Sequence, residues 1–137
     1  FFMISPYLPN KYGYEEIPPS LRAINARKVN VFCPELRIIH KPAVDKWDCN
    51  DSKNHELLIK GIALSYAIKK MMYPSLVLPI LKLANVMRMN KYLKNISDYR
   101  EKVNGVVNVF CEEYPINEKI KFSTVFQMVK DFGLSAF

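Results

Sequence analysis

The chain has 137 residues, half of them hydrophobic and 12% aromatic, which fits one folded domain and excludes an extensively disordered protein. Twenty basic and thirteen acidic residues give a formal net charge of +7, so we expect an anionic partner. Charged residues interrupt every apolar stretch well short of the roughly 20 residues that a bilayer span requires. The sequence therefore predicts no transmembrane helix.

Residues 1–19 contain four prolines and predict an extended arm without regular structure. The first helix is predicted to begin at Pro19 or Ser20, since proline suits a first helical turn. It is expected to continue to about His40 with a kink at Pro34, because proline removes a backbone donor. Its apolar residues recur at helical spacing and comprise Leu21, Ile24, Val31 and Phe32.

A long second helix is predicted over residues 53–89, after a polar connection in which Asp51 or Ser52 can serve as the N-cap. Pro74 and Pro79 lie inside this helix and are expected to bend it. The chain has only four glycines and no hairpin signal, so nothing in it favours β structure.

The third helix is predicted to begin near Ser97 and Asp98 and to end at Pro115, with an apolar stripe of Tyr99, Val103, Val106, Val107, Phe110 and Tyr114. The fourth is predicted to begin near Asn117 and to end at a Gly133 cap, with a stripe of Phe122, Val125, Phe126, Val129 and Phe132. The sequence thus predicts an all-α fold over residues 1–137. We expect an up-and-down bundle of four or five helices with an extended N-terminal arm and one long, proline-bent central helix.

The positive charge is concentrated in residues 52–97, where eight basic residues accompany a single acid, Glu56. Eight minus one gives +7, which is the whole net charge, because the rest of the chain carries twelve basic and twelve acidic residues. The same segment is the most apolar part of the chain, and this pairing is typical of a membrane-binding surface. The simpler interpretation, that these lysines form an ordinary solvated helix face, stays open.

Apolar residues surround the second helix on every side, which predicts a central position in the bundle. A bundle of this size has few central positions, so part of this apolar surface is expected to be exposed as a binding site. The candidate membrane-binding apolar residues are Tyr73, Leu76, Val77, Leu78 and Leu81 of the helix, with Phe1 and Phe2 of the arm. The candidate membrane-binding basic residues are Lys69, Lys70, Lys82, Arg88, Lys91 and Lys94.

Patterns typical of catalysis or metal binding are missing from the sequence. His40 and His55 match no paired metal motif, and the aspartates of residues 45–51 lack the glycine and terminal glutamate of a calcium loop. Neither a phosphate-binding glycine loop nor a nucleophile elbow occurs. We therefore expect no enzyme activity, no metal and no cofactor.

Three cysteines, Cys33, Cys49 and Cys111, lack the spacing of a metal site. In a secreted protein they allow one disulfide and one remaining thiol, and the sequence leaves the pairing open. Cys33 precedes a proline on an apolar face and is predicted to lie in the core. The sequons at Asn50 and Asn95 are usable glycosylation sites only in a secreted protein.

The segment "LSYAIKKMMYPS" (64–75), continued by "LVLPILKLANVMRMNKYLKNISDY" (76–99), resembles the abalone sperm acrosomal proteins, the family of egg-envelope lysin and its fusogenic paralogue. The first of these segments corresponds to a lysin segment in which a Tyr-Met pair follows a basic pair. The second segment reaches an Asp-Tyr dipeptide, here Asp98-Tyr99, without a gap. After it, "REKVNGVVNVF" has a similar order of polar and apolar positions. More loosely, the resemblance extends over residues 20–115. It lies in length, pattern and landmarks, with few identities.

The resemblance implies a small non-enzymatic helical bundle, secreted from the sperm acrosomal vesicle. The three cysteines, Pro74, Pro79 and the apolar "SLVLPIL" segment (75–81) favour the fusogenic paralogue, so the leading expectation is a protein that perturbs anionic membranes to promote sperm–egg fusion. The alternative is a lysin-like binder of an egg-coat glycoprotein that dissolves the vitelline envelope, with the apolar patch as a protein interface or homodimer seam. Nucleic acid is a poor candidate, because the aromatic residues do not alternate with the lysines.

Overall fold

The computed structural model describes residues 16–28 and 52–137, and its helices confirm the predicted all-α fold. No strand occurs in these ranges. Five α-helices are present: α1 (Ile17–Asn25), α2 (Ser52–Met72), α3 (Leu78–Tyr92), α4 (Tyr99–Glu113) and α5 (Phe122–Phe132). Short 3-10 helices follow α2 at Ser75–Val77 and α5 at Gly133–Ala136. Within the described ranges, no helix combines the length and apolarity needed to cross a bilayer.

Helix α1 is shorter than predicted and ends at Asn25, not near His40. The Lys28 amide donates to the Ala23 carbonyl and the Arg27 amide to the Ile24 carbonyl, with Arg27 at a φ of 58°. These two bonds and the left-handed residue form a Schellman turn, which satisfies the last carbonyls of α1 and ends the helix. The predicted kink at Pro34 and the core position of Cys33 lie outside the described residues, as do residues 1–15 of the predicted arm.

The predicted long central helix is two helices, because Pro74 breaks it. Pro74 has extended backbone angles (φ −59°, ψ 145°) and separates the end of α2 from the 3-10 helix that leads into α3. The Met72 carbonyl, which a continuing helix would have used, accepts a hydrogen bond from the Ile120 amide at 2.8 Å. Pro79 lies in the first turn of α3, where a missing backbone donor costs nothing, and so does not bend the helix.

Helix α2 is the centre of the bundle, as its apolar composition predicts. It packs against α1, α3 and α4. Its buried hydrophobic residues are Ile59, Ile62, Ala63, Leu64, Ala67, Ile68 and Met72. Ala63 and Ala67 have small side chains and the buried Gly61 has none, so neighbouring helices can approach α2 closely at these positions.

The prediction for α4 is confirmed, whereas that for α5 is partly wrong. In α4, Val103, Val107 and Phe110 are buried, and the helix ends two residues before Pro115. Helix α5 begins at Phe122 and not near Asn117, since Ile120 is buried and its amide is bonded to Met72. The inner residues of α5 are Thr124, Val125 and Met128, whereas the predicted stripe members Phe122, Phe126 and Phe132 are exposed.

The C-terminal segment after α5 returns to the bundle and packs against the end of α2. Gly133 caps α5 with a φ of 60°, a conformation that favours glycine, as predicted. The Phe137 ring is buried and contacts the Tyr73 ring edge-on, with 6.3 Å between centroids. This contact holds the segment over the place where α2 is interrupted.

Candidate functional site

Four large apolar side chains are exposed along the outer side of α3 and the 3-10 helix before it. Leu76, Ile80, Leu83 and Met87 are 76%, 48%, 61% and 62% exposed. Their spacing of three and four residues places them on one side of the helix. We call this set the outer apolar stripe. The residues that seat α3 on the bundle, Leu81, Asn85 and Met89, lie on the opposite side. Helix α3 is therefore apolar on two opposite faces and buries only one.

The candidate apolar residues are divided between the interior and this stripe. Leu76 is the most exposed large hydrophobic residue among those described, and Leu78 is half-buried. Tyr73, Val77 and Leu81 are buried, so their assignment to a membrane-binding surface is wrong. Tyr73 packs against Phe137 and bonds to Ala136, and Val77 and Leu81 belong to the side of the chain after Pro74 that joins the hydrophobic core. Phe1 and Phe2 lie outside the described residues.

The sequence-based site omitted Ile80, Leu83 and Met87, which form most of the outer apolar stripe. The signal was present, since these residues and Leu76 follow the same three-and-four spacing as the inner residues of α3. The break at Pro74 obscures it, because a single bent helix over residues 53–89 predicts a site centred on the residues beside Pro74. A separate helix starting at Leu78 has two apolar faces, and the spacing alone does not say which is inside.

The basic residues on and after α3 are mostly exposed. Lys82, Lys91 and Lys94 are exposed, and Arg88 is half-buried. The Lys91 ammonium lies 5.0 Å from the centroid of the Tyr92 ring, a cation–π contact on a half-exposed tyrosine. Lysines with long apolar stems and a tyrosine suit the boundary between water and lipid, where one end of the side chain is wet.

Lys69 is not part of the exposed basic surface, in contrast to its neighbour Lys70. Its ammonium donates to the Phe137 backbone oxygen at 2.9 Å in a partly buried position. Desolvation by burial, helped by the positive charge of Arg88, lowers the pKa of Lys69 to about 8. The assignment of Lys69 as a membrane-binding residue is therefore wrong, since its side chain fastens the C-terminal segment instead.

Acidic residues are missing from a long part of the described chain. Between Glu56 and Asp98 there is none, and Glu56 forms a salt bridge with Lys60 one helical turn away. The outer apolar stripe thus lies in a segment that carries only positive charge. Such a segment attracts an anionic surface without any local acid to repel it.

The inner side of α3 contains an unsatisfied polar group. Asn85 is buried, and its side-chain oxygen Oδ1 has no hydrogen-bond partner in the structure. A buried carbonyl group without a partner costs roughly 1–3 kcal/mol. Helix α3 is consequently held on the bundle less firmly than its buried leucine and methionine alone would imply.

Other reactive groups in the described residues are dispersed. Cys111 is a half-buried free thiol, and burial raises its pKa. Cys33 and Cys49 lie outside the described residues, as does His40. In the part of the chain that the structure describes, no three potential metal-ligating side chains cluster. Comparison of the chain with protein-family models, with curated proteins and with solved structures returns no match in any of the three.

Proposed function

We propose that the protein binds and perturbs anionic membranes without catalysis, and that it promotes the fusion of sperm and egg membranes. The observation that carries the membrane part is the outer apolar stripe of Leu76, Ile80, Leu83 and Met87, exposed within a segment of only positive charge. The sperm and egg context, including secretion from the acrosomal vesicle, rests on the resemblance of residues 64–99 to the abalone sperm acrosomal proteins.

The stripe supplies enough free energy for attachment. Full burial of a large apolar side chain stabilises by about 1.5–3 kcal/mol, and the four stripe residues are roughly half to three-quarters exposed. Transfer of their exposed area into lipid therefore contributes about 4–7 kcal/mol. Lys82, Lys91 and Lys94 add about 1 kcal/mol each beside an anionic leaflet. Together these terms suffice for reversible binding without a membrane span.

Shallow insertion also explains how binding could lead to fusion. A helix whose apolar side enters only the headgroup and upper acyl region occupies area in one leaflet and not in the other. The resulting curvature strain lowers the barrier to merging with a second bilayer. The Asn85 oxygen Oδ1, which has no hydrogen-bond partner on the inner side of α3, weakens the attachment of this helix to the bundle and so favours its movement toward lipid.

The test is lipid mixing between vesicles of phosphatidylcholine and phosphatidylserine, measured by fluorescence energy transfer. The double variant Leu83→Ser/Met87→Ser removes the middle of the stripe, a loss of about 2–4 kcal/mol that weakens vesicle binding about thirtyfold or more. The matched control Leu57→Ser/Val109→Ser changes two exposed apolar residues on α2 and α4 and is expected to mix lipids like the wild type. Equal lipid mixing by both double variants would show that the outer apolar stripe has no part in membrane fusion.

The lysin-like alternative gives the opposite result in a parallel experiment. A stoichiometric binder of an egg-coat glycoprotein dissolves isolated egg envelopes and does not mix the lipids of vesicles. Addition of the protein to envelopes and to vesicles separately therefore distinguishes the two functions.

A further inference from the structure

A surface cleft of about 660 Å³ lies between the end of α1 and the side of α5 that faces it. Ile24 and Met128 contribute apolar surface to its lining, and Arg27, Lys28 and Lys121 contribute positive charge. None of the outer apolar stripe lines it. We propose that this cleft binds the headgroup of an anionic phospholipid, as a second lipid site separate from the stripe. This inference rests on the proposed membrane function.

The two walls of the cleft are fixed to one another by side-chain contacts. Asn25 Oδ1 accepts hydrogen bonds from the Lys121 amide at 2.8 Å and from the Thr124 hydroxyl at 2.9 Å. Nearby, Arg22 and Glu118 form a salt bridge at 2.6 Å. A ligand therefore meets a preformed site, which reduces the ordering cost of binding.

The Schellman turn after α1 explains why basic side chains are concentrated at this cleft. It ends α1 and places Arg27 and Lys28 at the cleft together with Lys121. Among the described residues that line the cleft there is one acid, Asp131, whose carboxylate accepts from the Gln127 side-chain amide at 2.9 Å. Three basic groups and one acid leave a net charge of +2. Phosphodiester oxygens are suitable ligands for a guanidinium flanked by ammonium groups.

Size and surroundings favour a lipid headgroup over a small free anion. The cleft volume falls within the range of roughly 300–1,000 Å³ that is usual for small-molecule sites, far more than a phosphate needs. Apolar surface from Ile24 and Met128 suits the glycerol and the first carbons of an acyl chain. On the same helix, Phe132 lines the cleft and is 63% exposed, so its ring can enter the acyl region once a headgroup is bound.

The experiment uses dihexanoyl phosphatidylglycerol below its critical micelle concentration, so that binding requires no bilayer. Titration into the isotope-labelled full chain, followed by amide chemical shifts, is expected to show saturable changes in residues 24–28 and 121–131. The variant Arg27→Gln/Lys121→Gln is expected to weaken this binding about twenty-five-fold, since each cation near a phosphate contributes about a factor of five. The control Arg100→Gln/Lys102→Gln removes the same charge from exposed positions of α4 outside the cleft lining and is expected to change the affinity less than twofold.

Three results would overturn the proposal: the absence of saturable shifts, equal weakening by both variants, and equally strong binding of inorganic phosphate at the same residues. Shifts that indicate self-association instead, with a concentration-dependent sedimentation coefficient, would assign this surface to a second copy of the chain. A failure of the cleft proposal can be distinguished from a failure of the proposed membrane function. Vesicle lipid mixing depends on Leu83 and Met87 and is measured independently of headgroup binding.

Discussion

The Tyr73 hydroxyl donates a hydrogen bond to the Ala136 carbonyl at 2.5 Å, joining residues that are 63 positions apart in the chain. The bond is buried, and burial raises the pKa of Tyr73 to about 12. It connects the residue that follows α2 to the segment after α5, so the C-terminal segment is fastened to the bundle at the break between α2 and α3.

Removal of this hydroxyl is expected to destabilise the protein. Tyr73→Phe leaves the buried Ala136 carbonyl without its partner, which costs about 1–2 kcal/mol. Urea unfolding followed by far-ultraviolet circular dichroism measures this loss. Tyr92→Phe, at a half-exposed tyrosine, serves as the control and should change the free energy of unfolding by less than about 0.5 kcal/mol. A Tyr73→Phe protein as stable as the wild type would show that the bond contributes nothing.

Stability is expected to depend on pH through Lys69. Its folded pKa is about 8, below the usual 10.5, so the unfolded chain binds this proton more tightly. The contribution of Lys69 to the free energy of unfolding therefore rises as pH increases from about 8 toward 10. Burial of Tyr66 and Cys111 raises their pKa values and acts in the opposite direction, so the wild type must be compared with a variant.

Lys69→Met isolates this effect. The difference in unfolding free energy between the wild type and Lys69→Met is expected to shift by about 1–2 kcal/mol in favour of the wild type between pH 7.5 and pH 10. Urea titrations at several pH values measure it. Lys70→Met, which removes an exposed lysine, should show no such trend. A constant difference for Lys69→Met would mean that this ammonium is not desolvated in the folded protein.

Arg27 occupies a conformation that suits glycine better. Its φ of 58° lies in the left-handed region, where a side chain with a β-carbon costs about 1–2 kcal/mol. Arg27→Gly removes this strain but increases the entropy of the unfolded chain, so we expect a net stabilisation of about 0.5–1 kcal/mol. The adjacent Ala26→Gly, at an ordinary φ of −86°, should stabilise nothing. Thermal unfolding of both variants measures the difference, and equal changes in Tm would contradict backbone strain at Arg27.

Replacement of Asn85 should stabilise α3 on the bundle. Asn85→Leu removes a buried oxygen without a partner and adds apolar contact, with an expected gain of about 1–2 kcal/mol. Asn108→Leu, at an exposed position of α4, is the control and should have little effect. Hydrogen exchange of α3 amides provides a local measurement, since slower exchange is expected in Asn85→Leu alone. A destabilised Asn85→Leu protein would show that the amide is satisfied in solution.

The sequence predicted α4 closely because all its signals agree. A single apolar stripe, favourable charge at its start and Pro115 after its end specify one helix with one buried face. In α5, by contrast, the residues Phe122, Phe126 and Phe132 are more hydrophobic than Thr124, yet Thr124 is inside. Its hydroxyl bonds to Asn25, a contact from a distant part of the chain that periodicity cannot reveal.

The local sequence around Pro74 likewise does not predict whether the helix bends or ends there. Proline inside a helix can kink it or end it, and the outcome depends on what satisfies the freed backbone groups. Here the Met72 carbonyl finds the Ile120 amide, a partner from the segment before α5. Once the helix is divided, the chain after Pro74 places Val77 and Leu81 inside and Leu83 and Met87 outside, which is why part of the predicted site is buried.

The outer apolar stripe also affects how the protein behaves during purification. Four large hydrophobic side chains stand in water while the chain is fully folded, so retention on a phenyl resin in ammonium sulfate requires no denaturation. The same side chains give concentrated stocks a tendency to adhere to plastic and to one another. We therefore expect the folded protein to elute late from such a resin because of the exposed residues of α3.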